Sequence, residues 1–161
     1  MFEREQKQIS KLVEDNLDYL VRFAFFRLGD RECAEDTVYE AVLRVLNKPL
    51  AIDVDKFRSY LFRTVYNLCQ DELRNRFVTV PIEGVDVPDE NDALDREEAD
   101  RINSLLAVVP EKEREVVMMR VVDELSFVEI GDILSLPSST VKSRFKSGMD
   151  KMKQIYFSKM S

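Results

Sequence analysis

With 161 residues the chain has room for one ordinary domain or two small helical ones, and four glycines and five prolines are too few for a loop-rich all-β fold. Histidine is absent, and with it the usual zinc sets and imidazole bases; no glycine-rich phosphate loop or GxSxG elbow occurs either, so no enzyme class is indicated. The net charge of −7 argues against nucleic acid only until its distribution is read, because residues 77–100 hold nine acids and one base whereas residues 137–161 hold six bases and one acid.

Apolar residues at Ile9, Leu12, Val13, Leu17, Leu20, Ala24 and Leu28 follow the three-four spacing of one helix face, and Gly29 predicts its stop. Asp30 is placed to cap a second helix with Ala34, Val38, Ala41, Val42 and Val45 as its buried stripe, ended by Asn47 and Pro49. A third helix is predicted from a cap region at 53–55 to about Arg76, burying Phe57, Leu61, Val65 and Leu68. Three helices with short connections make a compact bundle over residues 1–76. Over residues 77–93 the periodicity vanishes, Pro81, Gly84 and Pro88 interrupt the chain, and acids accumulate, which predicts a flexible acidic linker.

A second helical domain is expected over residues 94–161. Pro110, with Glu111 and Glu113 behind it, suits the first turn of a helix. Ser126 and Glu129 have the spacing of a capping box for a short helix of about residues 127–134, and Pro137 with Ser138 opens a long final helix. The predicted fold class is therefore all-α, with two small helical domains, a three-helix bundle and a helix-turn-helix, joined by the acidic linker. Cys33 and Cys69 lack CxxC spacing and are read as buried small apolar residues, so no metal or cofactor is expected. No run approaches the roughly 20 apolar residues of a membrane span, and residues 1–11 are charged rather than signal-like, which predicts a cytoplasmic protein with no membrane insertion.

Three constellations carry functional information. On the last helix Val141, Phe145, Met149 and Met152 share one face, so that Lys142, Ser143, Lys146 and Ser147 are expected outward, where cations and hydroxyls suit phosphates and base edges. An ordinary solvated amphipathic helix has the same charge pattern. On the third helix Tyr60, Phe62 and Tyr66 alternate with Arg58, Arg63, Arg74 and Arg76, an arrangement that stacks on unpaired bases or simply completes a small core. The polar side of the second helix carries Glu35, Asp36, Tyr39, Glu40 and Arg44, which fits either protein docking or plain solvation.

Three stretches resemble the sigma-70 family of bacterial RNA polymerase sigma factors, in its extracytoplasmic-function (ECF) group. Residues 29–40 (GDRECAEDTVYE) resemble the region 2 motif that docks on the clamp helices of the polymerase β′ subunit. Residues 57–68 (FRSYLFRTVYNL) resemble the helix that melts and reads the −10 element. Residues 110–117 (PEKEREVV), 127–134 (FVEIGDIL) and 140–144 (TVKSR) resemble region 4, which binds the −35 element. The order and spacing of the stretches are more specific than any one of them.

The resemblance implies a non-enzymatic sigma factor whose partners are core RNA polymerase, through the β′ clamp helices and the β flap, and promoter DNA, with an anti-sigma factor as a further candidate partner. It implies polymerase contacts at Glu35, Asp36, Tyr39, Glu40 and Arg44. DNA contacts are implied at Arg58, Tyr60, Phe62, Arg63, Tyr66 and Asn67, and at Ser138, Ser139, Thr140, Lys142, Ser143, Arg144 and Lys146. The sequence departs from the family pattern at Tyr39, often glutamine, at Tyr66 and Glu72, often basic, and at Ser135, often glycine. Two other functions remain open: a stand-alone helix-turn-helix regulator, which fits the C-terminal half only, and a sigma-like antagonist that binds protein alone, which fits the negative net charge and the thinned basic positions.

Overall fold

The computed structural model describes residues 2–47, 54–78 and 90–160. They form seven α-helices and no strand: α1 Phe2–Leu28, α2 Arg31–Asn47, α3 Val54–Val78, α4 Glu90–Leu106, α5 Glu111–Val117, α6 Phe127–Leu134 and α7 Ser138–Met160. The chain divides into two compact units, Met1–Glu97 and Glu98–Ser161, and the division falls inside α4. Helix α3 runs to Val78 and α4 begins at Glu90, so the rest of the stretch expected as a linker, with Pro81, Gly84 and Pro88, lies outside the described residues, as do Pro49 and Asp53. Among the described residues no helix is long and apolar enough to cross a membrane.

In the first unit α1 ends on Gly29, whose φ of +75° is reached cheaply without a Cβ and whose N–H donates to the Phe25 carbonyl at 2.8 Å. Asp30 then caps α2, its Oδ1 accepting from the Cys33 N–H at 3.2 Å. The tight turn sends α2 back along α1. Because α1 is roughly 40 Å long and α2 only about 26 Å, the N-terminal turns of α1 outrun their partner. The predicted stripe is accordingly buried at Leu20, Ala24 and Leu28 but only half-buried at Ile9, Leu12 and Val13, and Leu17 is exposed.

The core centres on Phe23 of α1 and Phe62 of α3, whose rings meet edge to face at 5.4 Å, with Leu61, Val65, Val38 and Ala41 closed around them. Each such fully buried large side chain contributes about 1.5–3 kcal/mol. Buried polar groups are paired. Thr37 Oγ1 donates to the Cys33 carbonyl at 2.8 Å, and Asn16 Nδ2 donates to the Leu12 carbonyl at 2.7 Å. Val42, expected in the core, is half-buried.

In the second unit α5 passes directly into a π-helical turn, Met118–Val122, which closes when the Asp123 N–H donates to the Met118 carbonyl at 3.1 Å. The wider turn keeps Met118 and Met119 both buried while Val121 stays exposed. The capping box before α6 is present in both directions: Ser126 Oγ accepts from the Glu129 N–H, and Glu129 Oε1 accepts from the Ser126 N–H, each at 3.1 Å. Ser135, at φ 58° and ψ 47°, makes the left-handed turn into α7. Ile130, Ile133, Val141, Val116, Val117 and Leu125 form the core that holds α5, α6 and α7 together.

Candidate nucleic-acid and partner interfaces

Helix α3 has one face in the core and one turned outward. Phe62, expected among the DNA contacts, is 1 % exposed and belongs to the core, since its ring sits against Phe23. Arg58 is half-buried: its Nε donates to Asn16 Oδ1 at 3.0 Å and its guanidinium stands 5.2 Å from the centre of the Phe62 ring, so much of its side chain is committed to packing. Tyr60, Arg63 and Asn67, spaced at three and four, share the outward face with Lys56; Arg63 and Asn67 are exposed and Tyr60 is half-buried. Tyr66 lies half-buried at the edge of that face. The outward strip thus offers a cation, an amide and an aromatic edge, the set that handles unpaired bases and their backbone.

Arg76, read among the cations of this helix, is occupied elsewhere. Its Nη1 donates to the Leu28 carbonyl at 2.7 Å, its Nη2 to Cys33 Sγ at 3.4 Å, and its Nε lies 3.7 Å from Glu72. Cys33 is half-buried rather than buried, because it lies in this polar cluster with its thiol directed at Glu72 Oε1 at 3.7 Å. Burial pushes its pKa up in spite of the hydrogen bond from Arg76, so the group stays a thiol. Cys69 is buried, as expected.

Helix α2 presents Glu35, Asp36, Tyr39, Glu40 and Arg44, all exposed. Two of its ion pairs, Arg44 with Glu40 at 2.7 Å and Arg31 with Glu35 at 3.4 Å, are open to solvent and contribute little stability. Sequence reading missed the apolar part of this surface. Leu43 and Leu46 are 57 % and 50 % exposed and continue the row begun by Tyr39, at 67 %. Their spacing of four and seven from Tyr39 was the available signal. Beside the row is an open recess of about 370 Å³ lined by Asp30, Glu32, Cys33, Asp36, Thr37, Glu40 and Glu72. An apolar row edged by carboxylates is complementary in character to a helix that carries both apolar and cationic side chains.

Helix α7 begins at the half-buried Ser138 and exposes Ser139, Lys142, Ser143 and Lys146. Thr140 and Arg144 are half-buried, and Val141 is fully buried against the core. The Phe145 ring packs edge to face on Phe127 of α6 at 5.3 Å, which fixes the two helices of the motif against each other. Ser147, expected outward, instead donates to Glu113 Oε1 of α5 at 2.9 Å, and Lys151 donates to both oxygens of the same carboxylate at 2.8 and 2.9 Å. The Lys151 hydrogen bond holds the Glu113 carboxyl below its ordinary pKa, with smaller help from Ser147 and from the charge of Arg144. Gly148 is the crossing point of α5 and α7: a Cβ there would stand 2.7 Å from Val117 Cγ2.

Comparison with known proteins bears on both units. The family model for sigma-70 region 2 matches residues 12–77 and that for sigma-70 region 4 matches residues 105–154, together more than two thirds of the chain. The chain is similar to the ECF RNA polymerase sigma factor SigW of Bacillus subtilis, at 26 % identity over 167 residues that cover 93 % of this chain and 89 % of the relative. It is similar also to the ECF RNA polymerase sigma factor SigE of Mycolicibacterium smegmatis, at 27 % identity over 160 residues, 94 % of this chain and 62 % of that one. Among solved structures, CnrH in complex with the cytosolic domain of CnrY shares the fold with a TM-score of 0.71 at 21 % identity, over 95 % of this chain and 90 % of that one. RpoE of Bartonella quintana in complex with the anti-sigma factor NepR shares it with a TM-score of 0.58 at 19 % identity, over 89 % and 94 %.

Proposed function

Because the chain belongs to the sigma-70 family, as one of its extracytoplasmic-function sigma factors, we propose that its first unit docks on core RNA polymerase through α2 and engages the opened −10 strand through α3, while α7 holds the −35 duplex. The single observation that carries this division of labour is the contrast between exposed faces. Helix α2 offers an acidic and apolar row, whereas α7 offers Lys142, Ser143 and Lys146 beside a buried Val141.

On α2 the docking residues are Glu35, Asp36, Tyr39, Glu40 and Arg44, joined by Leu43 and Leu46. On α3 the strand is met by Tyr60, Arg63 and Asn67, with Tyr66 at the edge. Two weak DNA contacts and a polymerase contact on one chain multiply through effective concentration, so promoter recognition needs no tight binding by either unit alone. The protein works beside the polymerase in the bacterial cytoplasm and needs no chemistry of its own. An anti-sigma protein that covered the α2 row would block the polymerase and so regulate it.

The test is run-off transcription with core polymerase on a library of genomic fragments. Transcripts that start at a shared sequence pattern only when this chain is present are expected. Capture of core polymerase without any promoter-dependent transcript would favour the protein-binding antagonist, and DNA binding without capture of polymerase would favour the stand-alone regulator.

A further inference from the structure

Glu113 stands in the first turn of α5, but its carboxylate is directed across to α7. Ser147 and Lys151 both donate to it, and the contact is close because Gly148 lets the helices approach: a Cβ at Gly148 would be 3.4 Å from Glu113 Cβ. The Glu113 side chain is 16 % exposed and that of Lys151 43 %, so the pair is partly withdrawn from water. Residues 144, 147 and 151 recur at three and four, which puts them on one face of α7, and the charge of Arg144 acts on the same carboxylate. Lys142 and Lys146 lie on the other, exposed side, with no carboxylate partner among the described residues. One acid on α5 therefore opposes part of the positive charge of α7 and leaves the rest to the solvent.

We propose that Glu113 is a positioning residue that limits the phosphate affinity of α7, by holding Lys151 against α5 so that the charge α7 shows to DNA is confined to its exposed side. This rests on the reading that α7 binds duplex DNA. Binding to DNA of any sequence grows with each phosphate neutralised, whereas discrimination comes from base edges, so withholding a cation weakens indiscriminate binding more than promoter choice. A sigma factor that holds DNA poorly by itself depends on the polymerase to bring it to promoters.

The test uses the full chain with a promoter duplex and an unrelated duplex of equal length, over a salt series. Glu113→Gln removes the charge that holds Lys151 and is expected to steepen the log-log salt slope by about one unit, to bind the unrelated duplex several-fold more tightly at ~50 mM salt, and to narrow the preference for promoter. Lys151→Met, which removes a cation that carries no phosphate in this arrangement, must leave the slope unchanged. Lys146→Ala tests the underlying reading, with a slope flatter by about one unit expected. If Lys146→Ala flattens the slope while Glu113→Gln weakens both duplexes equally at constant slope, Glu113 is only structural and the proposal falls alone. A flatter slope for Lys151→Met overturns it as well, and no effect of Lys146→Ala removes both the proposal and the reading beneath it.

Discussion

Arg76, near the end of α3, donates from Nη1 to the carbonyl of Leu28, the last residue of α1, at 2.7 Å. The carbonyls of a final helical turn have no partner within their own helix and carry the negative end of its dipole, so a guanidinium there both satisfies an acceptor and offsets charge. The same side chain reaches Cys33 Sγ of α2, which ties all three helices of the bundle at one end. Arg76→Ala is expected to lower the stability of the first unit by about 1 kcal/mol, a value kept modest because the guanidinium is partly exposed. Arg76→Lys restores little of it, since an ammonium cannot hold both contacts with the same planar geometry. Urea unfolding of the three chains measures this, and equal midpoints would show that the tie contributes nothing.

One face of α3 is buried and the other exposed, so substitutions on the two should act differently. Phe62→Ala removes a ring that is 1 % exposed and packed on Phe23, and is expected to cost about 3–5 kcal/mol. Arg63→Ala and Asn67→Ala remove exposed groups and should change stability by less than about 0.5 kcal/mol. Permanganate footprinting of open complexes then reads function: weaker melting by Arg63→Ala and Asn67→Ala, with folding intact, is expected. Normal melting by both would take this face out of the DNA interface.

Helical period alone put Phe57, Leu61, Val65 and Leu68 in the core, and all four are buried. It could not decide Phe62, which sits one position from Leu61 on the boundary of that stripe; its ring packs on Phe23, on a helix distant in sequence. Capping signals were legible for a local reason: Asp30, Ser126 and Glu129 act within three residues of themselves. The Glu113–Lys151 pair, the Arg76–Leu28 tie and the close approach at Gly148 join residues far apart in the chain, so no short-range pattern announces them. The outward row of Leu43 and Leu46 was legible as spacing, but apolar residues at helical spacing ordinarily mean core, and their exposure is a property of what α2 packs on.

That row makes a sharper prediction than the acidic face by itself. Because Leu43 is 57 % exposed, Leu43→Ser should leave the thermal midpoint nearly unchanged. Burial of the same side chain in a polymerase contact is worth about 1–2 kcal/mol, so capture by a β′ clamp fragment should fall roughly tenfold. Asp36→Lys and Glu40→Lys should weaken capture chiefly at low salt, as expected for charges at the rim. Undiminished capture by Leu43→Ser and by both reversals would place the polymerase contact elsewhere.

The turn between α6 and α7 carries two backbone demands of opposite consequence. Ser135 occupies the left-handed region at φ 58°, where a Cβ crowds the following carbonyl, and no glycine relieves it. Ser135→Gly is therefore expected to stabilise the second unit by up to about 1 kcal/mol, less whatever the freer unfolded chain takes back. Gly131 lies at ordinary helical angles, yet a Cβ there would stand 2.7 Å from the Leu136 carbonyl oxygen, which itself belongs to the turn, and 3.8 Å from Val141 Cγ2. Neither neighbour is the loose end of a long side chain. Gly131→Ala must then push the turn away from α6 and is expected to cost about 1–3 kcal/mol. Because Leu136 leads straight into α7, the same displacement should misplace Lys142 and Lys146 relative to the rest of the motif. Thermal unfolding and −35 duplex binding by holoenzyme, measured on both variants, check the pair of claims. A rise in midpoint for Ser135→Gly with unchanged DNA preference, beside a fall in both midpoint and −35 affinity for Gly131→Ala, is expected; a Gly131→Ala variant as stable and as selective as the parent would mean that the turn yields freely and does not set the position of α7.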